Sequence, residues 1–295
     1  MKKAFIFIIL FVSFAISSNS NPFDFFLFQK KFNFGKLYYD VGAMTPSLYA
    51  KSAIVGEIAN GRIFISKNEK ETLPIASLTK LLTALTILNG KQDLDELLEI
   101  TDEDIDTVKN STSHIPTGTF LTRGELLNLA LMSSENRCAL CLARNYKGGF
   151  YFFTRDMNRI AQSIGANNSY FVDPCGLAPL NVSTALDLFE IGRQAYSEDL
   201  IRDFTTRDDI LFESKGKKFK RYFGNTNDIV IRKDWIVKMS KTGYTLEASR
   251  CLILAFEVKG VDYLLVLLGE NSLWQRDKDA ETIKKWIEDV IRAQH

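Results

Sequence analysis

Apolar residues alternate with a period of two at both ends of this chain and recur with helical periodicity in between. That ordering narrows the fold more than any single residue does. Residues 52–59 and 62–66 read as strands joined at Asn60-Gly61, a dipeptide that readily takes positive φ and predicts a two-residue hairpin turn. After Leu73-Pro74, a helix carries Leu78, Leu81, Leu82, Leu85 and Leu88 on one face. Residues 91–200 are mostly helical, with loops at Pro116-Thr117-Gly118 and Asp173-Pro174-Cys175-Gly176. Within that block, 126–132 and 139–143 are helical on either side of Ser133-Ser134-Glu135-Asn136, and 184–196 form a helix capped by Ser183. Past residue 205 strands return at 237–241, 251–258 and 262–268. Ile283, Trp286, Ile287, Val290 and Ile291 then mark a packed amphipathic helix. The economical solution is an α+β fold: one antiparallel sheet built from both chain ends, flanked by helices, with the helical block beside it.

The 295 residues are 46% hydrophobic, enough for a substantial core, and the net charge of +1 offers no long-range field for nucleic acid or an anionic membrane. Lys2 and Lys3, the apolar run 4–16 and then Ser17-Ser18 have the pattern of a secretory signal peptide over residues 1–18. The run is short for a bilayer span, so the mature chain is expected to be exported, periplasmic and without a stable membrane span. An uncleaved anchor is the alternative. Residues 19–46 form an N-terminal segment that includes an aromatic-rich stretch without a period, and 47–295 form the folded domain. Of the four cysteines, Cys138 and Cys141 fall inside a helical stretch, and Cys175 and Cys251 are isolated. Buried thiols acting as small apolar residues are the favoured reading, with any of three disulfide connectivities open.

Chemistry concentrates at Ser77 and Lys80. A serine needs a neighbour to take its proton, and the chain has only two histidines, His114 and His295. A lysine three residues on, if helical, lies on the serine's face. Ser214 and Lys217 share the spacing, but in a charged, glycine-containing run that reads as solvated loop. Two further triplets rank the pairs. Ser134-Glu135-Asn136 lies between helices and Lys241-Thr242-Gly243 at the end of the first C-terminal strand. Ser17-Ser18-Asn19 also fits the second pattern, so order and structural context carry the assignment. The three match the S-x-x-K, S-x-N and K-T-G set of penicillin-recognising serine enzymes.

The chain resembles the D-alanyl-D-alanine carboxypeptidase/endopeptidase family of low-molecular-mass penicillin-binding proteins. The likeness extends through Pro74-Ile75-Ala76-Ser77-Leu78-Thr79-Lys80, Leu131-Met132-Ser133-Ser134-Glu135-Asn136-Arg137, Phe171-Val172-Asp173-Pro174, Asn181-Val182-Ser183-Thr184-Ala185 and Lys241-Thr242-Gly243-Tyr244-Thr245. The Ser-Ser-Glu-Asn-Arg form, and the stop after one C-terminal helix, resemble the murein endopeptidase branch. The resemblance implies a β-lactamase/transpeptidase-like fold and an acyl-enzyme on Ser77. Lys80 would be the base, and Ser134 the relay to the leaving amine. Asn136 would hold the substrate amide, and Lys241, Thr242 and Gly243 the carboxylate and strand edge. It also implies an oxyanion hole from the N–H groups of Ser77 and Tyr244. Burial and the charge of Lys241 are expected to depress the Lys80 pKa. No metal cluster or cofactor is implied, and His114 reads as a surface residue.

The partners this implies are peptidoglycan peptides, with β-lactams as covalent inhibitors. The leading function is a DD-endopeptidase cleaving D-alanyl-diaminopimelate cross-links; the alternative is a DD-carboxypeptidase. A serine β-lactamase is less favoured, because the loop at 171–176 lacks a Glu-x-x-Leu-Asn pattern. A β-lactam sensor is less favoured too, since sensors normally carry a membrane span.

Overall fold

The two ends of the chain meet in one five-stranded sheet. The computed structural model describes residues 45–216 and 219–293, so the signal-like leader, the aromatic-rich stretch, Lys217 and His295 lie outside the described residues. The described chain begins with strands β1 (Ser52–Glu57), β2 (Ile63–Lys67) and the two-residue β3 (Leu73–Pro74). A 3-10 turn, Ala76–Leu78, leads into α1 (Thr79–Asn89). The middle block holds β4 (Leu97–Glu99), β5 (Thr119–Thr122), α2 (Arg123–Met132), α3 (Asn136–Arg144) and α4 (Gly149–Ser163). It continues through β6 (Val182–Ser183), α5 (Ala185–Tyr196) and α6 (Asp199–Thr206). A small hairpin region, β7 (Asp209–Glu213), β8 (Lys215–Gly216) and β9 (Lys220–Gly224), precedes α7 (Asp228–Arg232). The chain closes with β10 (Ile236–Thr245), β11 (Ser249–Val258), β12 (Val261–Glu270) and α8 (Leu273–Ala293).

The main sheet runs β10-β11-β12-β1-β2 and is antiparallel throughout, with Ser52 opposite Leu268 and Glu57 opposite Tyr263 where the two chain ends join. Its central strands are covered on both faces. Cys251, Ile253 and Ala255 of β11 pack with the helical block, while Leu252, Leu254 and Phe256 pack with Ala280, Ile283 and Ile287 of α8. Alternate side chains point to opposite faces, so double cover demands unbroken apolar runs. Each such side chain, fully buried, stabilises by about 1.5–3 kcal/mol relative to exposure. All four cysteines are free and buried in this packing. Burial pushes the Cys141 and Cys251 thiols up to about 12, as inert apolar residues require.

Three local expectations are corrected. The first hairpin closes with a four-residue loop, 58–61: Glu57 N–H donates to Arg62 O (2.8 Å) and Gly61 N–H to Glu57 O (3.0 Å), and φ is positive at Gly61 but not at Asn60. The α5 cap is Thr184, whose hydroxyl accepts from Asp187 N–H (3.0 Å); Ser183 is instead paired with Leu73 in β6 and bonded to the Ser169 hydroxyl. Finally, Lys241-Thr242-Gly243 does not end a strand. β10 continues through it to Thr245, with Gly243 opposite Cys251. A glycine suggests a strand end, but here its missing side chain makes room for a neighbouring turn.

Candidate active site

That neighbour is the 3-10 turn carrying Ser77. A Cβ on Gly243 would stand 3.0 Å from Ile75 O and 3.1 Å from Ser77 N, so the serine turn packs directly on the outer strand. Gly243 therefore admits the Ser77 turn. The turn is strained: Ala76 has φ +48, a left-handed conformation costing a residue with a side chain about 1–2 kcal/mol. Its surroundings hold it. Thr79 Oγ1 donates to Ala76 O (2.8 Å) and Asn181 Nδ2 donates to Thr79 Oγ1 (3.2 Å). Gly176, at φ +79, lies so close that a Cβ there would be 1.8 Å from Ala76 O.

Lys80 opens α1 one turn later and is fully buried. Its Nζ donates to Ser77 Oγ (2.9 Å), Asn136 Oδ1 (2.7 Å) and Cys175 O (3.0 Å). Burial lowers its pKa from the ordinary lysine value, and the negative charges of Asp173 and Glu135 partly oppose the shift. The three partners are chemically unequal. Asn136 Oδ1 and the Cys175 carbonyl can only accept, whereas the Ser77 hydroxyl can also donate. A neutral Lys80 therefore has one direction for its lone pair, towards the Ser77 proton.

The S-x-N residues bring the second wall. Ser134 adopts φ +60 and its half-buried hydroxyl makes no hydrogen bond to a described residue. Asn136 caps neither helix nor turn; its Oδ1 is taken by Lys80 and its Nδ2 donates to Ser111 Oγ (2.8 Å). The buried Glu135 carboxylate accepts from Ser113 Oγ (2.8 Å). His114 is exposed on the same loop.

Lys241 stands in β10 with 1% exposure, and its Nζ donates to Thr242 O (3.1 Å). Burial, then the positive charge of Lys80, drives its pKa well below the ordinary value. Repulsion between the two ammonium groups is mutual, and Lys80 has three acceptors where Lys241 has one carbonyl. Thr242 Oγ1 donates to Thr226 Oγ1 (2.7 Å), and Tyr244 is exposed beneath the Arg250 guanidinium, 4.6 Å from its ring centroid. Ser77 N lies against Gly243, the residue before Tyr244, so the two N–H groups expected to face an oxyanion come from adjoining backbone.

The sequence marks a loop at 173–176 but gives it no part in the site, which it shapes. Asp173 Oδ1 accepts from the N–H groups of Cys175 (2.6 Å), Gly176 (2.7 Å) and Leu177 (3.3 Å), and Oδ2 from Ala178 (2.8 Å). One carboxylate thus presents the Cys175 carbonyl to Lys80 and Gly176 to Ala76. Asn181 Oδ1 accepts from Val172 N–H (2.9 Å) and Asp173 N–H (3.2 Å), tying the loop back to Thr79 through Nδ2. Asp173-Pro174 is the turn signal that marks the loop. Nothing local marked Ser111 as a partner of Asn136. Of the competing pair only Ser214 is described: it stands between β7 and β8 with its N–H donated to Phe219 O (2.9 Å).

A serine–lysine turn packed on the outer strand of a five-stranded antiparallel sheet is the DD-transpeptidase fold. The solved Streptomyces K15 DD-transpeptidase matches with a TM-score of 0.78 at 24% identity, over 83% of this chain and 98% of that one. A family model described as D-alanyl-D-alanine carboxypeptidase matches residues 40–272. The D-alanyl-D-alanine endopeptidases of Pseudomonas aeruginosa and Escherichia coli K12 are 34% and 33% identical over 245 and 246 residues, each covering 83% of this chain and 79% of the relative. The chain belongs to the D-alanyl-D-alanine carboxypeptidase family of serine peptidases.

Proposed function

We propose that this chain is an exported serine DD-peptidase that cleaves D-alanyl-diaminopimelate cross-links in peptidoglycan through an acyl-enzyme on Ser77. The observation that carries the reading is the contact of Lys80 Nζ with Ser77 Oγ at 2.9 Å, with the other two Lys80 partners restricted to accepting. Neutral Lys80 takes the hydroxyl proton as Ser77 Oγ attacks the D-alanyl carbonyl. The N–H groups of Ser77 and Tyr244 face the developing oxyanion, an arrangement in which one donor is typically worth about 10²–10³ in rate. The tetrahedral intermediate then expels the amine, which receives its proton through Ser134, and water hydrolyses the ester. Lys241 and Thr242 take the carboxylate beside the scissile bond. Asn136 supports the substrate amide once its Nδ2 leaves Ser111.

The endopeptidase reading is supported by the two relatives named for that activity, the carboxypeptidase alternative by the family description. Among the described residues no helix is long and apolar enough to cross a membrane. Incubating the protein with cross-linked muropeptide dimers and with pentapeptide monomers separates the two. Monomers released from dimers are expected; free D-alanine alone reverses the assignment. Ser77→Ala is expected to abolish both peptide cleavage and covalent penicillin labelling, and retained labelling would sink the nucleophile.

A further inference from the structure

A loop at residues 105–113 joins the Ser134–Asn136 side of the site to the turn after β10. Asp106, nearly buried, folds it: Oδ1 accepts from Val108 N–H (2.8 Å) and Lys109 N–H (3.0 Å), and Oδ2 from Ser111 N–H (2.9 Å). Ser111 and Ser113 root it on the Asn136 side. Lys109 Nζ then reaches Glu247 Oε1 (2.5 Å), on the turn between β10 and β11. The ion pair therefore links the two walls of the site. Both side chains are about a third exposed, at 31% and 36%, and the exposed Val108 and Leu246 stand beside them.

The direction of the substrate follows from the site, and so rests on the function proposed above. The carboxylate beside the scissile bond lies at Lys241 and Thr242, and the reacting carbonyl lies at Ser77 N against Gly243. The acyl donor must continue along β10 past Tyr244 and Thr245. The residue preceding the reacting D-alanine arrives at Lys109 and Glu247. We infer that Lys109 and Glu247 are a specificity pair that exchanges its internal bridge for the free amine and free carboxylate of a zwitterionic side chain on that residue. Lys109 takes the carboxylate, Glu247 the ammonium, and Val108 and Leu246 flank the methylenes between. The substrate class is a stem whose diamino acid keeps an unblocked amino-acid centre.

An exposed bridge favours its closed form by at most about fivefold, so it opens readily. Two matched replacements give a preference of about tenfold. The test measures kcat/KM for cleavage of the D-alanyl-diaminopimelate bond in cross-link peptides carrying diaminopimelate, lysine or Nε-acetyl-lysine immediately before that D-alanine. The wild type is expected to prefer diaminopimelate over acetyl-lysine by about tenfold, mainly through KM, with lysine between. Glu247→Gln and Lys109→Met are expected to erase the preference while keeping acetyl-lysine turnover and penicillin labelling within about twofold of wild type. A wild type without preference, a preference surviving both substitutions, or equal losses on all three peptides overturns the inference. Failure of the wild type to label with penicillin overturns the acyl-enzyme instead, so the two failures are distinguishable.

Discussion

Two of the pairs of like ionisable groups buried in this molecule are used differently. At the outer strand, Lys80 and Lys241 are buried cations. At the end of β12, Glu270 and Asp279 are buried acids, with Asp279 accepting from Ala50 N–H (2.9 Å). Burial moves each depressed or raised pKa in the direction that discharges the group. Glu270 is pushed up to about 8, first by burial, then by its hydrogen bond with Asp279 and that residue's charge. Neither Glu270 oxygen meets a hydrogen-bond donor among the described residues, so a protonated carboxyl beside Asp279 would supply the missing one. This second pair ties α8, the end of β12 and the segment entering β1 together. What separates the two is the partner: Lys80 faces a hydroxyl that can lose a proton, and Glu270 faces a group that only holds one. A perturbed pKa alone therefore does not mark chemistry.

The sharpest way to break that comparison is Lys80→Met. Removing the acceptor of the serine proton is expected to slow acylation by about 10²–10⁴. The acylation rate with a chromogenic β-lactam measures it, and a rate near wild type would make Lys80 as purely structural as Glu270. Gly176→Ala asks whether the site depends on its supporting loop. A Cβ at 1.8 Å from Ala76 O, at φ +79, is expected to cost about 3 kcal/mol or more and to displace Ser77. Urea unfolding together with β-lactam acylation reads both effects; a variant as stable as wild type would contradict the packing.

The smallest effect concerns the acid pair. Glu270 has a folded pKa raised from 4.5 to about 8, so between those values the folded chain holds a proton that the unfolded chain has lost. Its contribution to stability is full at low pH, declines as pH rises through this window, and levels off above about 8. Glu270→Gln, which keeps a donor to Asp279 without a titration, is expected to flatten that part of the pH dependence by at most about tenfold in the folding constant per pH unit. Unfolding midpoints at several pH values between 5 and 8 measure the difference in slope. Identical slopes in the two proteins would show that the pair does not hold the proton assigned to it.

Much of the site was legible because its pieces are local. Ser77 and Lys80 need one helical turn, Ser134 and Asn136 one interhelical loop, and Lys241 to Tyr244 one strand. The sheet was legible from its apolar runs, although Gly243 shortened the predicted β10 because its reason for being glycine lies in another segment. The Asn60-Gly61 loop was misjudged for a different cause: the dipeptide permits a tight turn, but the pairing of Glu57 with Arg62 decided its length.

By itself, then, the sequence determined an α+β architecture, three short motifs in order, and the neighbourhood of Ser77 and Lys80, since helical and strand periodicity are properties of adjacent residues. The tertiary structure alone decided what Lys80 is worth. Its two pure acceptors come from Asn136 and Cys175, 56 and 95 positions away, and its neighbour Lys241 comes from the outer strand β10. The same holds for the link from Lys109 to Glu247, 138 positions apart. Distances of that kind are closed by packing the helical block against the sheet, and no local spacing encodes them.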